Sequence, residues 1–218
     1  MTPQFWTERW HNNDIGFHQK SVHDLLQKHW PELGVKPGGS VLVPLAGKSL
    51  DMVWLADQGL DVFGIELSEL AVDAFFAERG LTPAVVAQGA GTLKMGGPYS
   101  LLCGDFFAVP ASATEHISAV YDRASLVALP AEMRKAYAQH LMALTPRGAK
   151  TLLISLDYDS TQMNGPPFPV PRAGIEALFQ PHASVRLLED REVIATHPHF
   201  KAKGVMSLHE SAYVLERR

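Results

Sequence analysis

The chain has 218 residues and 46 % hydrophobic composition, enough for one sizeable domain with its own core, and its single cysteine, Cys103, excludes an internal disulfide or a Cys-rich zinc site. Nineteen Lys and Arg against 23 Asp and Glu leave a net charge of −4, which argues against a protein that grips a nucleic-acid backbone. No run of about eighteen apolar residues is present to cross a membrane, and Met1 to Arg9 lacks the basic-then-apolar order of a signal peptide.

After an aromatic and polar opening, Val22, Leu25, Leu26 and His29 recur at helical spacing, with Pro31 as the stop. Gly38-Gly39 then leads into Val41-Leu42-Val43-Pro44-Leu45, an apolar run typical of a strand buried on both faces. Ala46-Gly47-Lys48-Ser49 is a turn, and Asp51 to Gln58 reads as a helix burying Met52, Leu55 and Ala56. Asp61 to Glu66 is a second strand. Ser68 caps a helix that presents Val72, Phe75 and Phe76 and ends at Gly80. Thr92–Met95 and Tyr99–Cys103, joined by Gly96-Gly97-Pro98, read as a hairpin whose second arm joins the sheet.

Ile117 to Tyr121 is a further short strand, Pro130 opens a helix, and Ala149 to Leu156 is a strongly apolar strand. The run Gly165-Pro166-Pro167-Phe168-Pro169-Val170-Pro171 cannot be helix and does not suit a sheet. A short helix from Gly174 to Phe179 precedes two extended stretches, Ser184–Ala195 and Val205–Glu216, too close in sequence for a crossover helix and therefore paired antiparallel. Alternating helices and strands predict an α/β domain with a mostly parallel, seven-stranded sheet ending in an antiparallel hairpin. By analogy of topology this is the Rossmann-like sandwich of class I methyltransferases.

The first strand–turn–helix ends at Gly47, and Glu66 closes the next strand, where a carboxylate can accept both hydroxyls of a ribose. NAD, FAD and S-adenosylmethionine all suit that geometry, as does a bland turn beside a surface glutamate. Gly47-Lys48-Ser49 resembles the end of a phosphate-binding loop, but that loop needs glycine where Leu42 stands. The turn also lacks the cluster of glycines that a pyrophosphate requires. A phosphate-free donor, S-adenosylmethionine, fits best. Asp105-Phe106, after the hairpin strand, reads equally as an adenine contact with a covering ring and as a turn aspartate beside core phenylalanines. Asp122-Arg123, after the next strand, lies at a carboxyl end where such sheets bind ligands, or is a loop-fixing ion pair.

With these pieces placed, the chain resembles the thiopurine S-methyltransferase family, in particular its bacterial members. The resemblance covers nearly the whole length. It rests on Trp6-Thr7-Glu8-Arg9-Trp10 with Gly16-Phe17-His18-Gln19, on Pro44-Leu45-Ala46-Gly47-Lys48-Ser49-Leu50-Asp51-Met52, on Gly64-Ile65-Glu66-Leu67-Ser68, on Tyr121-Asp122-Arg123 and on Gly165-Pro166-Pro167-Phe168. It implies a single methyltransferase domain that uses S-adenosylmethionine, with residues 1–34 as lid and acceptor segment and 38–156 as donor-binding core. Residues 157–180 would be a proline-rich acceptor loop and helix, and 184–218 the closing hairpin. By resemblance, Trp10, Leu45, Glu66 and Arg123 match donor contacts and Phe17 matches an acceptor-pocket residue, while Phe168 could wall a flat heterocycle beside Phe17.

The implied acceptor is a small aromatic thiol such as a thiopurine, or a selenium or tellurium compound. The enzyme is expected to be a cytoplasmic monomer with no nucleic-acid or membrane partner. Two other readings stay open: an NAD-type oxidoreductase, and a non-catalytic small-molecule or metalloid-binding module on the same fold. A metal role is not expected, since His197 and His199 would face opposite sides of a strand. Cys103 reads as packed, and His18 and His23 as solvated histidines within reach of the pocket.

Overall fold

A computed structural model describes residues 2–218. The helices are α1 (Pro3–His11), α2 (Asp24–His29), α3 (Leu50–Asp57), α4 (Glu69–Ala77), α5 (Ala131–Leu144), α6 (Arg172–Phe179) and the short α7 (Pro198–Ala202). The strands are β1 (Ser40–Pro44), β2 (Asp61–Glu66), β3 (Ala84–Gln88), β4 (Gly91–Gly96), β5 (Tyr99–Gly104), β6 (Ala119–Arg123), β7 (Lys150–Asp157), β8 (Ala183–Glu192) and β9 (His209–Arg217).

They form one sheet in the order β3-β4-β5-β2-β1-β6-β7-β9-β8. Five neighbours, β5-β2-β1-β6-β7, are parallel, and β9 and β8 close the sheet antiparallel. The predicted seven strands are therefore nine. The two added to the sheet are β4, the expected first arm of the hairpin, which pairs antiparallel with β5, and β3, which was not expected and pairs antiparallel with β4. β3 carries a short apolar run, Ala84 to Ala87, yet every one of its residues is exposed, so composition alone does not tell it from a loop or an inner strand.

Successive side chains of the inner strands point to opposite faces, and both faces are covered. Val41, Val62, Leu101 and Leu152 pack with Leu25, Met52, Leu55, Val72 and Phe75 from α2, α3 and α4. Leu42, Ile65, Leu102 and Val120 pack on the other face with Tyr137, Leu141, Ile175 and Phe179 from α5 and α6. A smaller cluster of Tyr158, Met163, Phe200, Val205 and Leu208 lies under the proline-rich segment, whose Gly165-Pro166 and Pro166-Pro167 peptides are cis.

Three boundaries differ from expectation in ways that matter. The opening segment contains α1, started by Thr2 as N-cap and Pro3 in the first turn. The strand expected at Ile117–Tyr121 begins at Ala119 and runs through Arg123, which places Arg123 at the carboxyl end of β6. His197 and His199 stand at the start of α7 rather than on a strand, and His197 Nδ1 lies 2.9 Å from the Val193 carbonyl. Because β1 is flanked by β2 on one side and β6 on the other, the chain direction around the sheet reverses between β1 and β6. The crevice at those carboxyl ends is where an open parallel sheet binds its ligand. No helix among the described residues is long and apolar enough to cross a membrane.

Candidate active site

The turn leaving β1 is latched onto β2 by two hydrogen bonds. Ala46 N–H donates to the Ile65 carbonyl at 2.9 Å, and Gly47 N–H donates to Glu66 Oε2 at 2.8 Å. The other oxygen, Oε1, accepts from Ser68 N–H at 2.8 Å. Glu66 is only 7 % exposed. Burial pushes its carboxyl pKa up, against the opposing pull of the Ser68 and Gly47 amides. Each oxygen still has capacity for a further hydrogen bond, so a diol can be added without displacing the internal ones. Leu45, in the same turn, holds φ at 45°, and Ala124, just past β6, holds 64°. Non-glycine residues in the left-handed region store about 1–3 kcal/mol each, and such strain gathers at ligand sites.

Trp10 is the one buried residue of α1 and lies directly over Gly47. A β-carbon at Gly47, whose φ is 53°, would sit 3.1 Å from Trp10 Cζ2. Gly47→Ala is therefore expected to cost about 1–2 kcal/mol from backbone conformation and to lift the indole from the turn. Thermal unfolding and tryptophan emission would report the two effects. Phe17 meets Trp10 edge-on with ring centroids 5.5 Å apart. Together with His18, Leu45, Tyr121 and Arg123 these residues line a narrow cleft. Burial, with Lys48 next in weight, lowers the pKa of His18.

Arg123 is not a free cation. Its Nε donates to Asp51 Oδ2 at 2.6 Å and its Nη2 donates to Ser49 Oγ at 3.2 Å. Burial opposes its charge, and neighbouring Tyr121 and Asp51 more than overcome that, raising its pKa. Lys48 is likewise paired, with Glu78 Oε1 at 2.5 Å. The cleft thus offers directed N–H donors more than net positive charge. In the sequence Asp51 stands at the start of a helix and inside the Pro44–Met52 motif, with no role marked out for it. It is 1 % exposed and accepts from three groups, an arrangement that hydrophobic periodicity cannot reveal.

Beside Arg123, Asp122 points the other way, fully buried, and accepts from Tyr137 OH at 2.8 Å. Burial raises its carboxyl pKa from 3.8 to about 6, despite the Tyr137 hydrogen bond. Between those values the folded protein holds a proton that the unfolded chain has released, so this group's contribution to stability falls as pH rises through the window. Asp122→Asn is expected to remove a slope worth on the order of 3 kcal/mol, read by denaturant unfolding across that range.

The remaining sequence expectations divide. Asp105 is exposed at the end of β5 and accepts from Phe107 N–H at 2.9 Å. Phe106 lies in the core beside Tyr137 and His140, as the second reading of that pair anticipated, while Phe107, 37 % exposed, is the aromatic at the surface. Phe168 does not line the cleft with Phe17. Its N–H donates to the Val127 carbonyl at 2.6 Å, and the Arg134 guanidinium lies 5.9 Å from its ring. His23 is not a solvated histidine, because its Nε2 is 2.9 Å from the buried Glu210. His23, Asp24 and Glu210 cluster closely enough for a cation, but Arg191 already contacts both carboxylates at 2.5 Å. Cys103 is partly buried, and burial raises its pKa.

The profile of the family described as thiopurine S-methyltransferase matches residues 1–218. The chain belongs to the thiopurine S-methyltransferase family. It is 48 % identical over 217 residues to the thiopurine S-methyltransferase of Bordetella parapertussis, covering 100 % of this chain and 99 % of that one. It is also 48 % identical over 218 residues to the Azotobacter vinelandii protein of the same name, covering 100 % of both. Among solved structures it is similar in fold to a Burkholderia thailandensis 1,6-didemethyltoxoflavin-N1-methyltransferase holding S-adenosylhomocysteine. That match has a TM-score of 0.66 at 13 % identity and covers 99 % of this chain and 86 % of that one. A methyltransferase from Anabaena variabilis dependent on S-adenosylmethionine matches with a TM-score of 0.63 at 14 % identity, covering 99 % and 95 %. This thiopurine S-methyltransferase family member is thus a class I methyltransferase dependent on S-adenosylmethionine. The residues present suit that donor: one glycine in the turn, no phosphate cradle, and a buried carboxylate with spare acceptor capacity.

Proposed function

We propose that the enzyme methylates the sulfur of aromatic and heterocyclic thiols, thiopurines among them, and extends to reduced selenium or tellurium compounds. The observation that carries this is the pairing of an aromatic wall, Trp10 with Phe17, and a fixed guanidinium, Arg123, in one cleft at the β1–β6 crevice. The shared name of the curated relatives supports the thiol acceptor. A small diffusible acceptor also suits a monomeric, cytoplasmic enzyme with no nucleic-acid partner.

When bound, S-adenosylmethionine supplies a methyl group on a sulfonium sulfur, already activated for displacement. Glu66 would take the ribose hydroxyls, the Leu45–Gly47 turn would lie along the adenosine, and Asp105 would accept from the adenine amino group. Phe106 supports that loop from the core. Trp10 closes the cleft and keeps water from the reacting centre. Phe17 stacks against the acceptor ring. Arg123 directs its remaining N–H groups at a donor carboxylate or an acceptor anion. An ordinary thiol ionises near pH 8.5 and an aromatic one lower, so orientation and ionisation leave little else for the protein to do.

The deciding experiment is a panel of thiol, selenol, phenol and amine acceptors scored by release of S-adenosylhomocysteine. Preference for heteroaromatic thiols is the expected result. Donor binding with no turnover on any sulfur, selenium or tellurium acceptor would overturn the proposal and favour a binding module.

A further inference from the structure

We propose that Asp51 is a positioning residue that aims Arg123 into the cleft and ties it to the N-terminal segment that covers the cleft. The proposal deepens the reading of Arg123 as a ligand contact and rests on it.

Asp51 lies in the first turn of α3, after the N-cap Ser49, where a negative charge is favoured by the helix terminus. Its two oxygens join three parts of the chain. Oδ2 accepts from Arg123 Nε at 2.6 Å and Tyr121 OH at 3.0 Å, both on β6. Oδ1 accepts from the backbone N–H of His23 at 2.8 Å. His23 is the N-cap residue of α2, and the chain before it carries Trp10, Phe17 and His18 into the cleft. Its own side chain meets Glu210 at 2.9 Å, which pins this end of the segment to β9 as well.

An arginine has five N–H donors in a rigid fork. Asp51 and Ser49 take one on Nε and one on Nη2. The Nη1 pair and the second Nη2 hydrogen are left for a ligand, with a direction set by the Nε bond. Without the carboxylate, the side chain would regain rotamer freedom and the segment would lose its backbone anchor. Burial makes the geometry decisive, since an asparagine at position 51 must turn its NH₂ toward at least one donor.

Asp51→Asn, Arg123→Met and the double variant form a cycle, read by calorimetric affinity for S-adenosylmethionine and by kcat/KM for an aromatic thiol. Asp51→Asn alone is expected to lose about tenfold in one of these, the worth of one directed hydrogen bond to a charged group. In the Arg123→Met background the same change is expected to add less than about twofold, because the two act as one unit.

His23 supplies a second measurement that does not depend on the Asp51 variant folding. Its φ of −70° suits proline. His23→Pro removes the N–H as well as the imidazole, whereas His23→Ala removes the imidazole alone. Amide exchange across residues 12–22 in the ligand-free protein is expected to be faster in the proline variant.

If Arg123→Met leaves both kinetic and binding readouts intact, the reading of Arg123 fails and the proposal with it. If Arg123→Met is impaired but Asp51→Asn is silent or its loss is additive, the positioning role alone is overturned. Equal exchange in the two His23 variants would overturn the tie to the N-terminal segment.

Discussion

Glu66→Ala is expected to weaken S-adenosylmethionine binding about 100-fold, measured by titration calorimetry. Two charge-assisted hydrogen bonds to a ribose are lost, each worth about 1.5 kcal/mol or more. The change also removes the acceptor of Gly47 N–H, and with it one of the two bonds that latch the turn to β2. The Ser68 amide loses its partner too. Glu66→Gln separates these effects. Its single carbonyl oxygen can keep one of the two amides, so the fold should recover more than donor affinity does. Donor affinity unchanged in both variants would remove Glu66 from the ribose site.

Arg123→Ala is the second large effect, and it acts on two quantities at once. Turnover is expected to fall between about tenfold and about 100-fold, as directed donors to the ligand disappear. Stability is expected to fall by about 3–5 kcal/mol, because Asp51 is left buried with its cation gone. The stability loss would confuse a simple activity assay. Arg123→Lys resolves it, since an ammonium can still neutralise Asp51 but cannot reproduce the fork. Recovered unfolding temperature without recovered turnover is the expected pattern. Normal turnover in the lysine variant would reduce the role of Arg123 to charge balance.

The inner strands were legible because Val41–Pro44, Asp61–Glu66 and Lys150–Asp157 are continuous apolar runs or end in glycine-marked turns. β3 was not, because Ala84–Gln88 is a short run with no polar–apolar alternation, and an exposed edge strand has no buried face to mark it. α1 has a start signal in Thr2 and Pro3, but only Trp10 of its residues is buried, so the stretch carries no continuous apolar face to mark it as a helix. At the site, the placing of Gly47 in the turn and Glu66 at the end of β2 followed from strand ends and turn composition, while Leu45 was marked by the family resemblance. The partners of Arg123 did not. Asp51 is 72 residues away in sequence, and nothing local distinguishes a solvated helix-start aspartate from a buried one. Phe106 and Phe168 show the same limit from the other side. Hydrophobicity announces that a ring is buried, while the packing around it decides whether it faces a ligand or the core.

The indole of Trp10 resting on Gly47 gives the protein an optical label of its own. The chain has 4 tryptophans; Trp30 is buried in the core and does not line the cleft, while Trp6 meets Phe17 edge-on at its margin. Trp10 alone closes on the glycine turn, so a molecule entering beneath it must alter the polarity around that ring. Emission from the unmodified enzyme can therefore follow ligand entry in real time, at protein concentrations far below those that calorimetry needs.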